Sequence, residues 1–247
     1  MIILKILASG SAGNCYLLES DTECLVLECG IPFKGVKKTL DFNVGKIVGV
    51  LVTHEHLDHA KYAKEYIKAG IPVGMSQGTA NALHLDSMII RSGYWYKFGG
   101  FNVTVFRTEH DCAEPIGFLI EHSEMGKLLF ITDSSFVRLN FKKLAINHIL
   151  IEANYSEAII NEWLSKGLVD QARVNRTFKT HMSIETCKEF VRVNKTPNLD
   201  NVILLHLSDG NSNASGFRQT IQEVVGDNVR VTVADRGVEV KLDLFPW

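Results

Sequence analysis

The chain has 247 residues, 46% hydrophobic and 22% charged, a composition that fits a globular protein and excludes a disordered chain or a fibre. A formal net charge of −2 argues against a strongly basic nucleic-acid binder but leaves room for a local basic patch. The longest apolar runs, such as Ile47–Val52, are strand-sized, so no transmembrane span and no membrane partner are expected.

Residues 2–8 read as a first β-strand and not as a signal peptide, because a basic start and a long apolar stretch are both missing. Residues 14–19 and 23–28 read as two more strands, separated by turns at Ser9-Gly10-Ser11-Ala12-Gly13 and Ser20-Asp21-Thr22. Pro32 and Gly35 open a predicted helix that runs to about Leu40. The run Ile47–Val52 predicts a strand buried on both faces. His59–Ala69 predicts a helix stopped by Gly70 and Pro72.

A second β-rich stretch follows, with strands predicted at 101–106, 117–121, 127–132 and 146–152. Residues 157–176 are helical in pattern, interrupted at Gly167. Ser183 caps a helix with Glu185 and Thr186 in its first turn. Residues 200–205 predict a buried strand, 214–225 a helix, and 229–233 and 237–241 two final strands. No repeat, low-complexity tract or linker interrupts the chain. A β-rich half followed by helices occurs twice. This order predicts a single α/β domain over residues 1–247, a four-layer αββα sandwich with two mixed β-sheets inside and helices outside. Cys15, Cys24, Cys29, Cys112 and Cys187 form no CxxC pair, so free thiols in a reducing cytoplasm are expected.

The strongest chemical signal is Thr53-His54-Glu55-His56-Leu57-Asp58-His59, directly after the 47–52 strand. Three imidazoles and a carboxylate on one short loop suit a borderline divalent metal. Three further candidates each follow a predicted strand: His110, Asp133 and His206. Singly, each suits an ordinary surface or capping role; the series after the histidine loop favours metal ligation.

His54-Glu55-His56-Leu57-Asp58-His59 resembles the HxHxDH signature of the metallo-β-lactamase superfamily, with His110, Asp133 and His206 in its later motif positions and in the same order. The resemblance implies two divalent metal ions, Zn²⁺ or Mn²⁺. One would take His54, His56 and His110, the other Asp58, His59 and His206, with Asp133 bridging and Asp58 counted also among the catalytic groups. The superfamily includes lactamases, thioesterases, ribonuclease Z and DNA nucleases, so the fold alone does not give the substrate. Ser9 to Asn14, His110 to Pro115, Ile151-Glu152-Ala153-Asn154, His181-Met182-Ser183 and Leu205 to Ser208 with Asn211 resemble the YycJ (WalJ) group. That group is related to ribonuclease Z and associated with 5′→3′ exonuclease action on double-stranded DNA. One departure is Leu27-Glu28-Cys29-Gly30, where the family usually has Asp in place of Glu28. That carboxylate generally orients the histidine loop, so the longer Glu28 implies a shifted support.

The resemblance implies phosphodiester hydrolysis on a nucleic acid, most plainly DNA. His181 is the candidate proton donor to the leaving oxygen, and Glu152 its orienting carboxylate. Three basic sets are candidates for holding backbone phosphates: Lys61, Lys64 and Lys68; Lys188, Arg192 and Lys195; and Arg173, Arg176 and Lys179. Lys64, Arg176, Lys188 and Arg192 are the chosen contacts, against the plainer reading of solvated helix faces. Tyr94-Trp95-Tyr96 is expected to pack in a sheet or core rather than stack on bases, and Cys112 to be a small buried residue rather than a ligand. The alternatives are a cyclic-nucleotide or other small-molecule hydrolase of the same fold, and a non-catalytic nucleic-acid-binding module.

Overall fold

Three short strands open the chain: β1 (Ile3–Ala8), β2 (Cys15–Glu19) and β3 (Cys24–Leu27). β1 alternates between buried and half-buried positions, whereas β3 is buried throughout. The computed structural model describes residues 1–244. After β3 come α1 (Phe33–Thr39), β4 (Ile47–Leu51), α2 (Leu57–Ala60), α3 (Ala63–Lys68), β5 (Val73–Met75), α4 (Gln77–Leu83), β6 (Met88–Ile89), β7 (Trp95–Phe98), β8 (Phe101–Arg107) and β9 (Ile116–His122). The chain continues through β10 (Gly126–Ile131), β11 (His148–Glu152), α5 (Glu157–Ser165), α6 (Gln171–Thr180), α7 (Ile184–Asn194), β12 (Asn201–Leu205), α8 (Ala214–Val225), β13 (Arg230–Val233) and β14 (Glu239–Lys241). Among the described residues no helix is long and apolar enough to cross a membrane.

The chain divides into two units. Among the described residues, the first holds Met1–Arg107, Cys112–Lys127 and residues 234–244; the second holds Thr108–Asp111 and Leu128–Val233. In the first, a seven-stranded sheet runs β14-β1-β2-β3-β4-β5-β6. Its β3, β4 and β5 are parallel, with Leu27 opposite Leu51 and Leu51 opposite Gly74. Val26, Val50, Met75, Phe33 and Tyr66 share one core cluster, and the Phe33 and Tyr66 rings lie 4.2 Å apart. β7, β8 and β9 form an antiparallel ribbon. Gly49 interrupts the apolar run of β4 for a packing reason: a Cβ there would sit 2.3 Å from the Phe98 ring.

The second unit carries the parallel strands β10-β11-β12-β13. Every residue of β11 and β12 is buried, which explains why both read as continuous apolar runs. α7 is capped by Ser183, whose hydroxyl accepts from Thr186 N–H at 3.1 Å, as the sequence predicts. It packs on β11 and on α8.

Two predicted helical segments differ in their bounds. The helix expected over His59–Ala69 breaks after Ala60, because the Tyr62 N–H is captured at 3.0 Å by the carbonyl of Cys29, at the end of β3. The helical pattern at 157–176 breaks at Gly167 into two helices, as its interruption there predicts. α5 stops ahead of Gly167, whose φ is +67°, and Asp170 then caps α6 by accepting from Arg173 N–H at 2.8 Å. α6 continues to Thr180, and residues 73–98 hold four elements too short for a periodic signal to show. Trp95 and Tyr96 lie in β7, as a sheet position predicts, but Tyr94 and Trp95 are 63% and 68% exposed and so are not core residues; Tyr96 accepts through its hydroxyl from Arg91 N–H.

Candidate metal centre and its polar supports

In the first unit the histidine loop leaves the carboxyl end of β4, where ligands collect in sheets with parallel strands. His54 and His59 are buried, and their ring centroids lie 4.2 Å apart; His56 lies 4.7 Å from His54. Thr53 Oγ1 is 2.9 Å from His54 Nδ1 and fixes that ring. The backbone of the loop is gripped from the β1–β2 turn and the end of β3. Asn14 N–H donates to Asp58 O at 2.7 Å, Cys29 N–H to His59 O at 2.7 Å, and Gly30 N–H to Asn14 O at 2.9 Å. A Cβ on Gly30 would sit 1.7 Å from the Asp58 carbonyl oxygen, so no side chain fits there. The Asn14 amide nitrogen is 3.0 Å from His59 Nε2, and its carboxamide oxygen accepts from Tyr16 Oη at 3.2 Å.

Glu28 is fully buried at φ +63°, a conformation uncommon for any residue but glycine. Its carboxylate accepts from Thr53 N–H at 3.3 Å and lies 3.6 Å from His59 Nδ1. It therefore reaches the histidine loop despite the extra methylene. Burial pushes the Glu28 carboxyl up, and His59 and Thr53 offset part of that rise. Glu55, inside the histidine motif, accepts from Ala113 N–H at 2.6 Å, and Glu114 accepts through Oε2 from Gly78 N–H at 2.8 Å. Those two carboxylates tie residues 113–114 to the loop and to α4. Cys112 is half-buried, less enclosed than expected.

In the second unit three functional side chains lie at or just past the carboxyl end of a parallel strand. Asp133 follows β10, Glu152 closes β11 and His206 follows β12. The strand register aligns these ends, with Ile131 opposite Ile151 and Glu152 opposite Leu205. Asp133 and His206 both hold positive φ, at 43° and 52°. Asp133 Oδ1 lies 3.2 Å from His206 Nδ1, and Asn154 amide nitrogen is 3.2 Å from the same atom while donating to the His206 carbonyl at 2.9 Å.

Glu152 joins these groups. It is fully buried, and its Oε2 accepts from Ser134 N–H at 2.9 Å and Met182 N–H at 3.1 Å. Its Oε1 meets His181 Nδ1 at 2.6 Å and lies 3.4 Å from His206 Nδ1. Burial alone would raise this carboxyl, but the facing His181 and its other partners bring it below the usual range. Burial would likewise lower His181; Glu152 outweighs that and raises it. Asp133, Glu152, His181 and His206 each offer a donor atom, all within 4.8 Å of one another. His110 donates through Nδ1 to the Thr180 carbonyl at 2.8 Å, which makes Nδ1 the protonated nitrogen and places the lone pair on Nε2. Burial lowers His110, with Asp133 opposing.

The basic candidates are arranged differently from their sequence spacing. The row Lys61, Lys64, Lys68 is split between α2 and α3 by the break at Tyr62; Lys64 is exposed. Arg192 is held by Glu189 on its own helix at 2.6 and 2.8 Å, and Lys195 donates to the Val224 carbonyl at 3.2 Å. Lys188 lines a separate cavity with Glu185 and Asn213. Arg176 lines a cavity together with His110, a candidate ligand. Asn14 and Asn154 fall in segments that the resemblance marks, but their support roles, like that of Glu55, are not readable from the sequence, since a Glu on a loop reads as a solvated residue.

The profile of the metallo-β-lactamase superfamily matches residues 8–145. The chain belongs to the metallo-β-lactamase superfamily, and its two mixed β-sheets flanked by helices are that superfamily's α/β sandwich. More particularly, it is similar to exodeoxyribonuclease YycJ of Bacillus anthracis, 33% identical over 168 residues, 61% of this chain and 62% of that protein. It is also similar to exodeoxyribonuclease WalJ of Streptococcus pneumoniae, 27% identical over 175 residues, 63% of this chain and 64% of that one. The chain thus spans a little under two thirds of the length of these curated relatives. The fold alone is shared with YhfI of Bacillus subtilis, with a TM-score of 0.74 and 16% identity over 98% of this chain and 100% of that one.

Proposed function

We propose that the chain is a metal-dependent phosphodiester hydrolase acting on nucleic acid in the cytoplasm, and specifically an exonuclease that degrades double-stranded DNA from its 5′ ends. The carrying observation is the buried Glu152 bonded at 2.6 Å to His181, beside Asp133 and His206 at the ends of parallel strands. The donor chemistry suits two divalent ions, Zn²⁺ or Mn²⁺. By the superfamily pattern their ligands are His54, His56, Asp58, His59, His110, Asp133 and His206. Bound, such ions supply a hydroxide at neutral pH and neutralise charge on a phosphoryl oxygen.

The chain's own residues do the rest. Glu152 holds the His181 ring by Nδ1, which leaves Nε2 to carry a proton to the departing oxygen. Two backbone N–H bonds fix Glu152 in turn, so the pair needs little reorganisation during reaction. The names of the two exodeoxyribonuclease relatives support DNA as substrate. The five free cysteines suit a reducing compartment. Lys64, Arg176, Lys188 and Arg192 remain the proposed phosphate contacts, with Arg176 the best placed.

A nuclease panel tests this. End-labelled double- and single-stranded DNA, RNA and cyclic nucleotides are incubated with Zn²⁺ or Mn²⁺. Shortening of duplex DNA from the 5′ end is expected. Digestion only from 3′ ends, or only of RNA, overturns the exonuclease reading and spares the phosphodiester chemistry. Turnover of none of them, with either metal, overturns both.

A further inference from the structure

A cavity of about 600 Å³ lies within the second unit, walled by α6 and by the segment around His110. That volume suits a nucleotide-sized ligand. Arg176 and Lys179 stand three residues apart on α6, so both belong to one face, and both line the cavity. Ser135 and Asn175 add hydrogen-bonding groups to the wall. The helix is in fixed register with His110, because the carbonyl of Thr180, next to Lys179, is bonded to His110 Nδ1.

The charge balance favours an anion. The cavity's carboxylates are Glu109 and Asp111. Glu109 is bonded at 2.9 Å to Arg138, which lies outside the lining, and Asp111 stands 3.4 Å from Arg176. Lys179 has no ion-pair partner among the described residues. A cavity with compensated carboxylates, one free ammonium and one guanidinium held loosely at its edge calls for an anion with several acceptor oxygens. A phosphate meets that, since the guanidinium fork matches two of its oxygens.

We propose that this cavity is a phosphate subsite, in which Arg176 and Lys179 hold a nucleotide phosphate other than the one hydrolysed, with Asp111 orienting the guanidinium. The proposal rests on the phosphodiester reading above and names where part of that substrate is held.

The test is calorimetric titration of the metal-loaded protein with deoxyadenosine monophosphate and with deoxyadenosine. The monophosphate is expected to bind at least about 10-fold more tightly than the nucleoside. The double variant Arg176→Ala, Lys179→Ala is expected to weaken monophosphate binding about 10-fold or more, and Arg176→Lys to fall between. Equal affinity of the double variant and the wild type overturns the subsite, because binding through metal ions survives that change. Equal affinity of nucleotide and nucleoside, or no binding of either, overturns it too. The dinucleoside monophosphate d(ApA) locates the phosphate: comparable affinity assigns an internal phosphate to the cavity, and affinity about 10-fold weaker assigns a chain end. Both side chains are exposed, so melting is expected to stay unchanged; if the double variant melts early, Lys179→Ala alone decides. Absent diester turnover with this binding intact sinks the phosphodiester reading and leaves the subsite. Turnover without Arg176- and Lys179-dependent binding does the reverse.

Discussion

The two units present ligand-type side chains in opposite ways. In the first, four of them sit within six residues, His54 to His59, and their geometry is imposed from afar by Asn14, Glu28, Cys29 and Gly30. In the second, the donors are single residues on separate strand ends and, for His181, at the end of α6, and they hold one another through Glu152. A contiguous loop needs a backbone clamp, because contacts between its own neighbours, such as Thr53 with His54, do not fix the path of the loop as a whole. Dispersed donors need a polar network, because only side-chain contacts join them. Disturbing the first unit should therefore act through the backbone, and disturbing the second through buried charge.

The largest effect is expected at Gly30. Gly30→Ala places a methyl within 1.7 Å of the Asp58 carbonyl, so the turn and the histidine loop cannot keep their spacing. A loss of about 4 kcal/mol or more is expected in chemical denaturation, together with loss of bound metal. A variant that melts within a degree or two of the wild type would refute the clamp.

Next is Glu152→Gln, which keeps the shape but turns an amide toward donors. Ser134 N–H, Met182 N–H and His181 then compete for one acceptor. A cost of about 3 kcal/mol is expected, in the range for breaking a buried pair. Stability equal to the wild type would mean that the dispersed donors are not held by this network.

The two asparagines make the comparison sharper, since Asn14 serves His59 and Asn154 serves His206 in parallel fashion. Either change to Ala is expected to weaken metal affinity roughly 10–100-fold, as for other groups that orient ligands. Competition with a chromogenic chelator reads this. An effect from one and none from the other would show that only one unit relies on such support.

The smallest effect lies away from the centre. Glu19 on β2 is held by Lys46 at 2.7 Å and Lys5 at 2.8 Å. Burial would raise its carboxyl, but the two lysines outweigh burial and lower it. A lowered folded value stabilises the fold above the unfolded carboxylate range, near pH ~4.3, and that contribution is lost as pH falls through the folded value. Glu19→Gln is expected to cost about 1 kcal/mol at neutral pH and progressively less below pH ~4. A cost that grows on acidification would reverse the sign.

The same contrast explains what could be read in the sequence. The loop at 54–59 announces itself because its donors are adjacent. His110, Asp133 and His206 are legible only as residues after strands, and the short bond joining Glu152 to His181 depends on the register of β11 beside β12. Most strands follow directly from apolar runs. The helix at 59–69 does not, because the interruption comes from the Cys29 carbonyl, a partner some thirty residues away in sequence that no local pattern contains. α4 escapes notice for a different reason: it is seven residues long, too short for a helical period to show. The ion pair between Arg192 and Glu189 also escapes a reading by lysine and arginine spacing alone, because that spacing does not weigh the acidic residue on the same face.

The central claim is that Glu152 and His181 serve as an oriented proton donor rather than as metal ligands, although their donor atoms lie close to Asp133 and His206. The most direct measurement is bound metal and turnover of 5′-end-labelled duplex DNA on one preparation of His181→Ala. The account predicts metal content equal to the wild type and turnover reduced about 10²–10⁴-fold. Loss of metal would make His181 a ligand, and turnover near the wild-type rate would remove it from the reaction; either result contradicts the account.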